Sequence, residues 1–281
     1  MSDLQIIEGM SQADYRAAEG VSQSTLKAFG DAATPLHFKN AKPKKATPDM
    51  EFGTVCHAAI LEPEKLHSSY YLKPKEYPSK EKGKPDVMKP WSGNAKWCQE
   101  WVENHKDRPV MTHDDMALIP KIRDSVLQLS EFATALESGK TEVSFFKRDE
   151  EAGLMLKCRC DLIATDSAGG SWIFDPKKVQ SGRATPEAFA ASIADYGYYI
   201  QAASYLWITG SSNFVFVPFD DDGTSACQFR PDAEMLDAGF KEWRRLLKAY
   251  AHCVKENHWP GYPRGIQTIS LPQYLKKKLT M

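Results

Sequence analysis

Net charge is what this 281-residue chain most plainly lacks: 36 Lys and Arg stand against 37 Asp and Glu, leaving −1 with the histidines neutral. A generally basic histone-like or coat-like protein is excluded. An enzyme that gathers its positive charge in one channel for a polyanion is not. No apolar run approaches the ~20 residues that would span a bilayer. The start, Met1-Ser2-Asp3-Leu4-Gln5, lacks a basic stretch followed by an apolar one, so no secretory signal is visible. These absences predict a cytoplasmic protein with no membrane partner. There is no CxxC pair, no internal repeat and no long low-complexity tract. The six cysteines, Cys56, Cys98, Cys158, Cys160, Cys227 and Cys253, are scattered, and only Cys158 and Cys160 are close. On a strand those two thiols face one side, but no second pair supplies further ligands. Reduced, mostly buried cysteines are therefore predicted, not zinc.

What is present is ordinary globular material. Hydrophobic residues make up 42% and charged residues 26%, a balance that builds a core without staples. At ~150 residues per domain the length allows one large domain or two small ones. We expect one domain over 1–281. Its portions are a mainly helical one at 1–137, an α/β core at 138–256 and a tail at 257–281.

Residues 1–70 read as helical. Capping residues at Ser22-Gln23-Ser24-Thr25 precede Leu26 and Phe29, a second short helix starts at Thr34-Pro35, and a third covers Glu51–Leu61 before Pro63. Residues 73–90 change character, with four prolines and six lysines against Glu76, Glu81 and Asp86. They read either as a solvated loop or as a basic flap over a polyanion. Helices are predicted at 94–105 and 114–137.

From Thr141 the period changes. Strands are expected at Glu142–Phe146, Leu154–Ala164, Ser171–Asp175 and Asn213–Phe219, with a turn over Asp166–Gly170. A helix from Pro186 carries a break at Gly197, and an amphipathic helix covers Ala233–Glu256. Strands and helices alternate, so this half is α/β with a mixed sheet.

The chemistry centres on Asp161 and on Asp175-Pro176-Lys177. The two aspartates are 14 residues apart with a Gly-rich turn between them. A hairpin of that length brings both carboxylates to one edge. Two oxygen donors at one point suit a hard divalent cation such as Mg²⁺, which also binds phosphate. Lys177, two residues after Asp175, faces the same side. An ammonium there orients a water or offsets charge on a pentavalent phosphate. Glu142, on the preceding strand, is placed to reach that edge. His57 sits on a mostly apolar helix, Val55–Leu61, and reads as either a core histidine or a ligand. Gln201 and Tyr205 share a helix face, for holding DNA or the metal site, or for packing.

Five motifs follow in order: Ser22-Gln23-Ser24-Thr25-Leu26, Gly53-Thr54-Val55-Cys56-His57, Asp161, Asp175-Pro176-Lys177, and Gln201 with Tyr205. The series resembles the PD-(D/E)XK nuclease superfamily, and within it the RecB-like branch, with the RecE (exonuclease VIII) group of phage recombination exonucleases most similar. The resemblance runs from Ser22 to Leu275. It departs at Lys178, where that group usually carries threonine. It implies a restriction-endonuclease-like α/β fold, a mixed central sheet flanked by helices with an N-terminal helical portion. The implied activity is Mg²⁺-dependent 5′→3′ degradation of double-stranded DNA ends, Mn²⁺ substituting, to leave 3′ tails for strand annealing. His57, Asp161, Asp175 and the Pro176 carbonyl become metal ligands, and Glu142 supports a second ion. Lys177 becomes the catalytic lysine, with Gln201 and Tyr205 organising the site. A homo-oligomeric ring, a RecT-like single-strand annealing partner and a bacterial, phage- or prophage-encoded setting are implied too. The alternatives are a RecB-like nuclease of other polarity, an endonuclease, or a non-catalytic DNA-binding scaffold.

Overall fold

The computed structural model describes residues 4–43, 45–79 and 87–279. In chain order the elements are β1 (Gln5–Ile7), α1 (Gln12–Ala17), β2 (Val21–Ser22), α2 (Gln23–Asp31), α3 (Pro35–Lys39) and α4 (Pro48–Leu61). A 3₁₀ turn (Pro63–Ser68), β3 (Tyr71–Leu72), β4 (Glu76–Ser79), β5 (Val87–Pro90), α5 (Lys96–Asn104), β6 (Val110–Met111), α6 (His113–Leu127) and α7 (Ser130–Ser138) follow. The second half holds β7 (Lys140–Asp149), β8 (Leu154–Thr165), β9 (Ser171–Val179), α8 (Pro186–Tyr196), α9 (Tyr198–Thr209), β10 (Asn213–Asp220), α10 (Ala233–Lys255) and α11 (Gln273–Leu279). Among the described residues no helix is long and apolar enough to cross a membrane.

The main sheet runs β1-β7-β8-β9-β10, with β2 added alongside β8. It is mixed: β9 and β10 are parallel, as are β2 and β8, while β7–β8 and β8–β9 are antiparallel. Alternation along the strands feeds two cores. On β10, Phe214 and Phe216 turn to one face, and Val215, Val217 and Phe219 to the other. The first core is covered by α2, α8, α9 and α10 through residues such as Leu26, Phe189, Ile200 and Trp243. The second is covered by α4, α6 and α7 through Val55, Ile60, Ile122 and Phe132. The result is the expected α/β architecture, a mixed central sheet flanked by helices.

Local signals explain most boundaries. Ser22 accepts from the Thr25 amide at the head of α2, and Thr34 does the same for α3 ahead of Pro35. Four expectations need correction. The N-terminal stretch is not wholly helical, because β1 and β2 are strands of three and two residues, too short to show a period and formed by pairing on β7 and β8. The 114–137 helix is two, and the turn between them brings Phe132 onto Phe174, ring centroids 6.0 Å apart. Segment 73–90 is not a bare loop. Its described residues form a β4–β5 hairpin, on which Tyr77 stacks against Trp97 of α5. The lysines at its centre, Lys80, Lys82 and Lys84, lie outside the described residues. Finally, β9 does not stop at Asp175 but runs on to Val179 beside β10.

Candidate active site

The site forms where β8 and β9 part. Their last paired residues are Leu162 and Phe174, and the next position on each strand is an aspartate, Asp161 and Asp175. Beyond it β9 follows β10, whereas the first half of β8 takes β2 as its neighbour. The pleat of β8 also inverts here. Leu156, Cys158 and Cys160 lie in the first core, but Leu162 and Ala164 lie in the second. Opposite Asp161, Glu142 adopts φ 55, and the β7–β8 ladder skips it between Thr141↔Leu162 and Val143↔Cys160. A left-handed non-glycine residue costs on the order of 1 kcal/mol. Arg159 holds it there, donating from Nε to Glu142 and from Nη1 to the Met10 carbonyl at 2.6 Å.

Asp175 is 1% exposed. Its Oδ1 accepts from Gln201 Nε2 at 2.9 Å, which ties α9 to β9. Lys177 Nζ forms an ion pair with Oδ2 at 2.5 Å, and that oxygen is fully buried. His57, reaching in from α4, places Nδ1 3.6 Å from Asp161 Oδ2 and is also hydrogen-bonded by the Pro176 backbone. Proline has no N–H, so the carbonyl accepts.

Burial, then Asp175, pushes Asp161 well above the usual carboxylate range; Glu142 adds to this and Lys177 opposes it. Burial alone would lower Lys177, but Asp175 and Asp161 outweigh it and hold the ammonium above its ordinary value. Burial, with Lys177 close by, pushes His57 down to about 4 against the pull of Asp175 and Pro176. His57 is therefore neutral at pH 7.

The fold thus gathers His57, Asp161, Asp175, Pro176, Lys177 and Gln201 at the fork. Glu142 borders it, within electrostatic reach of Asp161 but engaged by Arg159. Tyr205 sits a layer behind, in the first core, where burial and the neighbouring Cys158 and Tyr15 keep its phenol protonated. Sequence reasoning missed two contributors. Arg159 fixes Glu142, and Tyr198 receives the Lys177 ammonium 5.1 Å from its ring centroid. Lys178, which strand alternation turns away from Lys177, anchors α4 through Asp49.

Toward a divalent cation the donor set is oxygen-rich, and the buried Asp175 Oδ2, already set against the Lys177 ammonium, lies where the fork accommodates positive charge. Among the described residues no group of three or more His, Cys, Asp or Glu side chains is arranged around one ion position. The fit therefore rests on two carboxylates supplemented by a carbonyl and an imidazole. All six cysteines are free, five of them buried.

Residues 22–272 match the family described as PDDEXK-like domain of unknown function (DUF3799). The chain belongs to this family. No curated protein matches it. Among solved structures, this PDDEXK-like chain is similar to a “Putative exonuclease” from Eubacterium rectale, at 14% identity and TM-score 0.53 over 90% of this chain and 88% of that one. That likeness is one of fold. A structure of SSO0001 is 18% identical at TM-score 0.29 over 47% of this chain and 60% of that one, too distant to bear on the argument. Family and fold together support a nuclease.

Lys178 provides the control for this PDDEXK-like site. Its side chain is 9% exposed on the face away from the fork, 2.5 Å from Asp49 of α4 and 3.9 Å from Asp221. Lys178→Ala is expected to cost about 1 kcal/mol by thermal melting and to leave turnover within a few-fold. A loss comparable with that of Lys177→Ala would put the wrong lysine in the fork.

Proposed function

We propose that the protein is a Mg²⁺-dependent exonuclease acting 5′→3′ on double-stranded DNA ends, leaving 3′ single-stranded tails for recombination by strand annealing. The observation that carries this is the pair Asp161 and Asp175 at the β8–β9 fork, with Lys177 against Asp175. Membership of the PDDEXK-like family supports the nuclease part. Polarity, the preference for ends and the recombination role come from the motif resemblance.

Asp161, Asp175, the Pro176 carbonyl and His57 are the groups to hold the cation, which when bound supplies Lewis acidity and charge at the scissile phosphate. The chain does the rest. Gln201 Nε2 fixes the Asp175 carboxylate plane. Lys177 Nζ, the strongest donor at the fork, orients the attacking water and offsets the charge that gathers on the phosphoryl oxygens. His57, neutral, presents a lone pair rather than a repelling charge. A homo-oligomeric ring around the duplex and a RecT-like annealing partner complete the proposal.

Linear duplex labelled separately at its 5′ and 3′ ends, beside covalently closed circular DNA, tests it. With Mg²⁺ the 5′ label is expected to be released first, the circle to stay intact and EDTA to stop the reaction. A cut circle means an endonuclease, early loss of the 3′ label means the opposite polarity, and no cleavage with Mg²⁺ or Mn²⁺ means a scaffold.

His57 gives a finer test. As a ligand, His57→Ala raises the Mg²⁺ concentration for half-maximal activity about tenfold or more with little change in melting temperature. As a core residue it lowers melting and leaves the metal titration unmoved. Both are measured on the same preparations.

A further inference from the structure

Helices α8 and α9 meet at Gly197, which adopts φ 67. In an unbroken helix, side chains two residues apart point roughly 200° away from each other. The left-handed glycine reverses this: the rings of Tyr196 and Tyr198 stack, centroids 5.5 Å apart and planes 30° from parallel. Any L-residue at 197 would strain this turn. Tyr198 is held from behind by Phe189 and Phe216, each with its centroid 6.2 Å away. Its ring lies 5.1 Å from Lys177 Nζ. Tyr196 occupies the outer side of the stack and is 58% exposed.

A large aromatic ring is thus stacked on one neighbour, open to solvent and one ring removed from Lys177. Capping a helix requires none of these properties, and core packing would bury the ring.

We propose that Tyr196 is a stacking platform for a nucleobase of the DNA strand whose phosphate enters the β8–β9 fork, an assignment that rests on the nuclease function proposed above. Every base offers a π-face, so the contact is tolerant of sequence. Its stack on Tyr198 already limits its freedom, so less is lost on binding. The same stack links base position to Lys177, which places the phosphate next to the captured base at the carboxylates.

Binding is measured by fluorescence anisotropy on a labelled linear duplex with Ca²⁺ in place of Mg²⁺, so that affinity is read apart from cleavage. Two substrates are used, one intact and one with abasic residues through the terminal nucleotides of the 5′ strand. Tyr196→Ala is expected to weaken binding to the intact duplex about tenfold, and Tyr196→Phe to restore it. The abasic duplex is expected to bind wild type about as weakly as intact DNA binds Tyr196→Ala, with no further loss when the two changes are combined. Wild-type affinity in Tyr196→Ala, or equal abasic penalties in wild type and variant, overturns the platform. Both results are independent of turnover. If the wild type binds in this Tyr196-dependent way yet never cleaves with Mg²⁺ or Mn²⁺, the platform stands and the nuclease function fails.

Discussion

Asp175→Asn is expected to abolish cleavage and, with it, the rise in melting temperature that Mg²⁺ or Mn²⁺ gives the wild-type chain. The substitution keeps the size of a side chain that is 1% exposed, and the amide oxygen can still accept from Gln201. What changes is charge. Two opposing effects act on the metal-free fold. Lys177 loses its ion-pair partner, which destabilises, because an uncompensated charge in a buried site is costly. Asp161, held well above the usual carboxylate range by burial and then by Asp175, loses a repelling neighbour, which stabilises. The two offset one another, so metal-free melting should move little.

The metal-linked term has no such offset. A ligand present at 100 times its dissociation constant adds about 2.7 kcal/mol to stability, and removing one of two carboxylates at the fork removes that increment. Loss of the cation takes Lewis acidity with it, so turnover should fall by about 10³-fold or more. Thermal melts with and without metal, beside the end-label assay, decide the matter. A wild-type metal shift in Asp175→Asn would show that the cation is held elsewhere.

Much of this site was legible because the fork is a local object. The Asp161–Asp175 interval, the Gly-rich turn and the alternation of β8 and β9 together dictate a hairpin, and a hairpin dictates that the two aspartates meet. The end of β9 was not legible. Pro176 looks like a terminator because it has no N–H to give a ladder. A strand residue turns its N–H and C=O to the same side, and the Pro176 carbonyl faces His57. Its missing N–H therefore points into the gap that β8 has left, where no ladder exists, and β9 continues past it on β10. The N-terminal strands were hidden for another reason: strands of two and three residues carry no period, and they form only because β7 and β8 offer them an edge.

Gln201 and Tyr205 show how far a helix-face argument reaches. Their spacing put both on one side of α9, but only Gln201 touches an aspartate, while Tyr205 packs a layer deeper with Phe214. The kink at Glu142 left no composition or spacing signal at all. It arises from the inversion of β8 at Asp161, a tertiary property that two strands must form together.

Lys177→Ala should separate chemistry from binding more cleanly than any other change. Lys177 lies 2.5 Å from Asp175 Oδ2 and above the Tyr198 ring, with 16% of its side chain exposed. Removing it leaves both carboxylates in place, so the cation and the phosphate it holds should remain. Cation affinity should rise rather than fall, since a competing positive charge has left the fork. The metal-free protein should melt at a lower temperature than wild type, because Asp175 is then a buried carboxylate without a counter-charge, a loss on the order of 3–5 kcal/mol. Added Mg²⁺ should recover most of that difference, a crossing pattern opposite to the one expected for Asp175→Asn. Turnover should not recover. The ammonium that orients the water and offsets phosphoryl charge is gone, and preorganised charge of this kind contributes about 10²–10³ in rate or more. Lys177→Arg provides the last arm. A guanidinium keeps the charge but is broader and planar, so it should restore metal-free stability more fully than it restores rate. If Lys177→Ala instead digests linear duplex at the wild-type rate, the lysine is only a counter-ion for Asp175, and the donor to the water must be sought elsewhere at the fork.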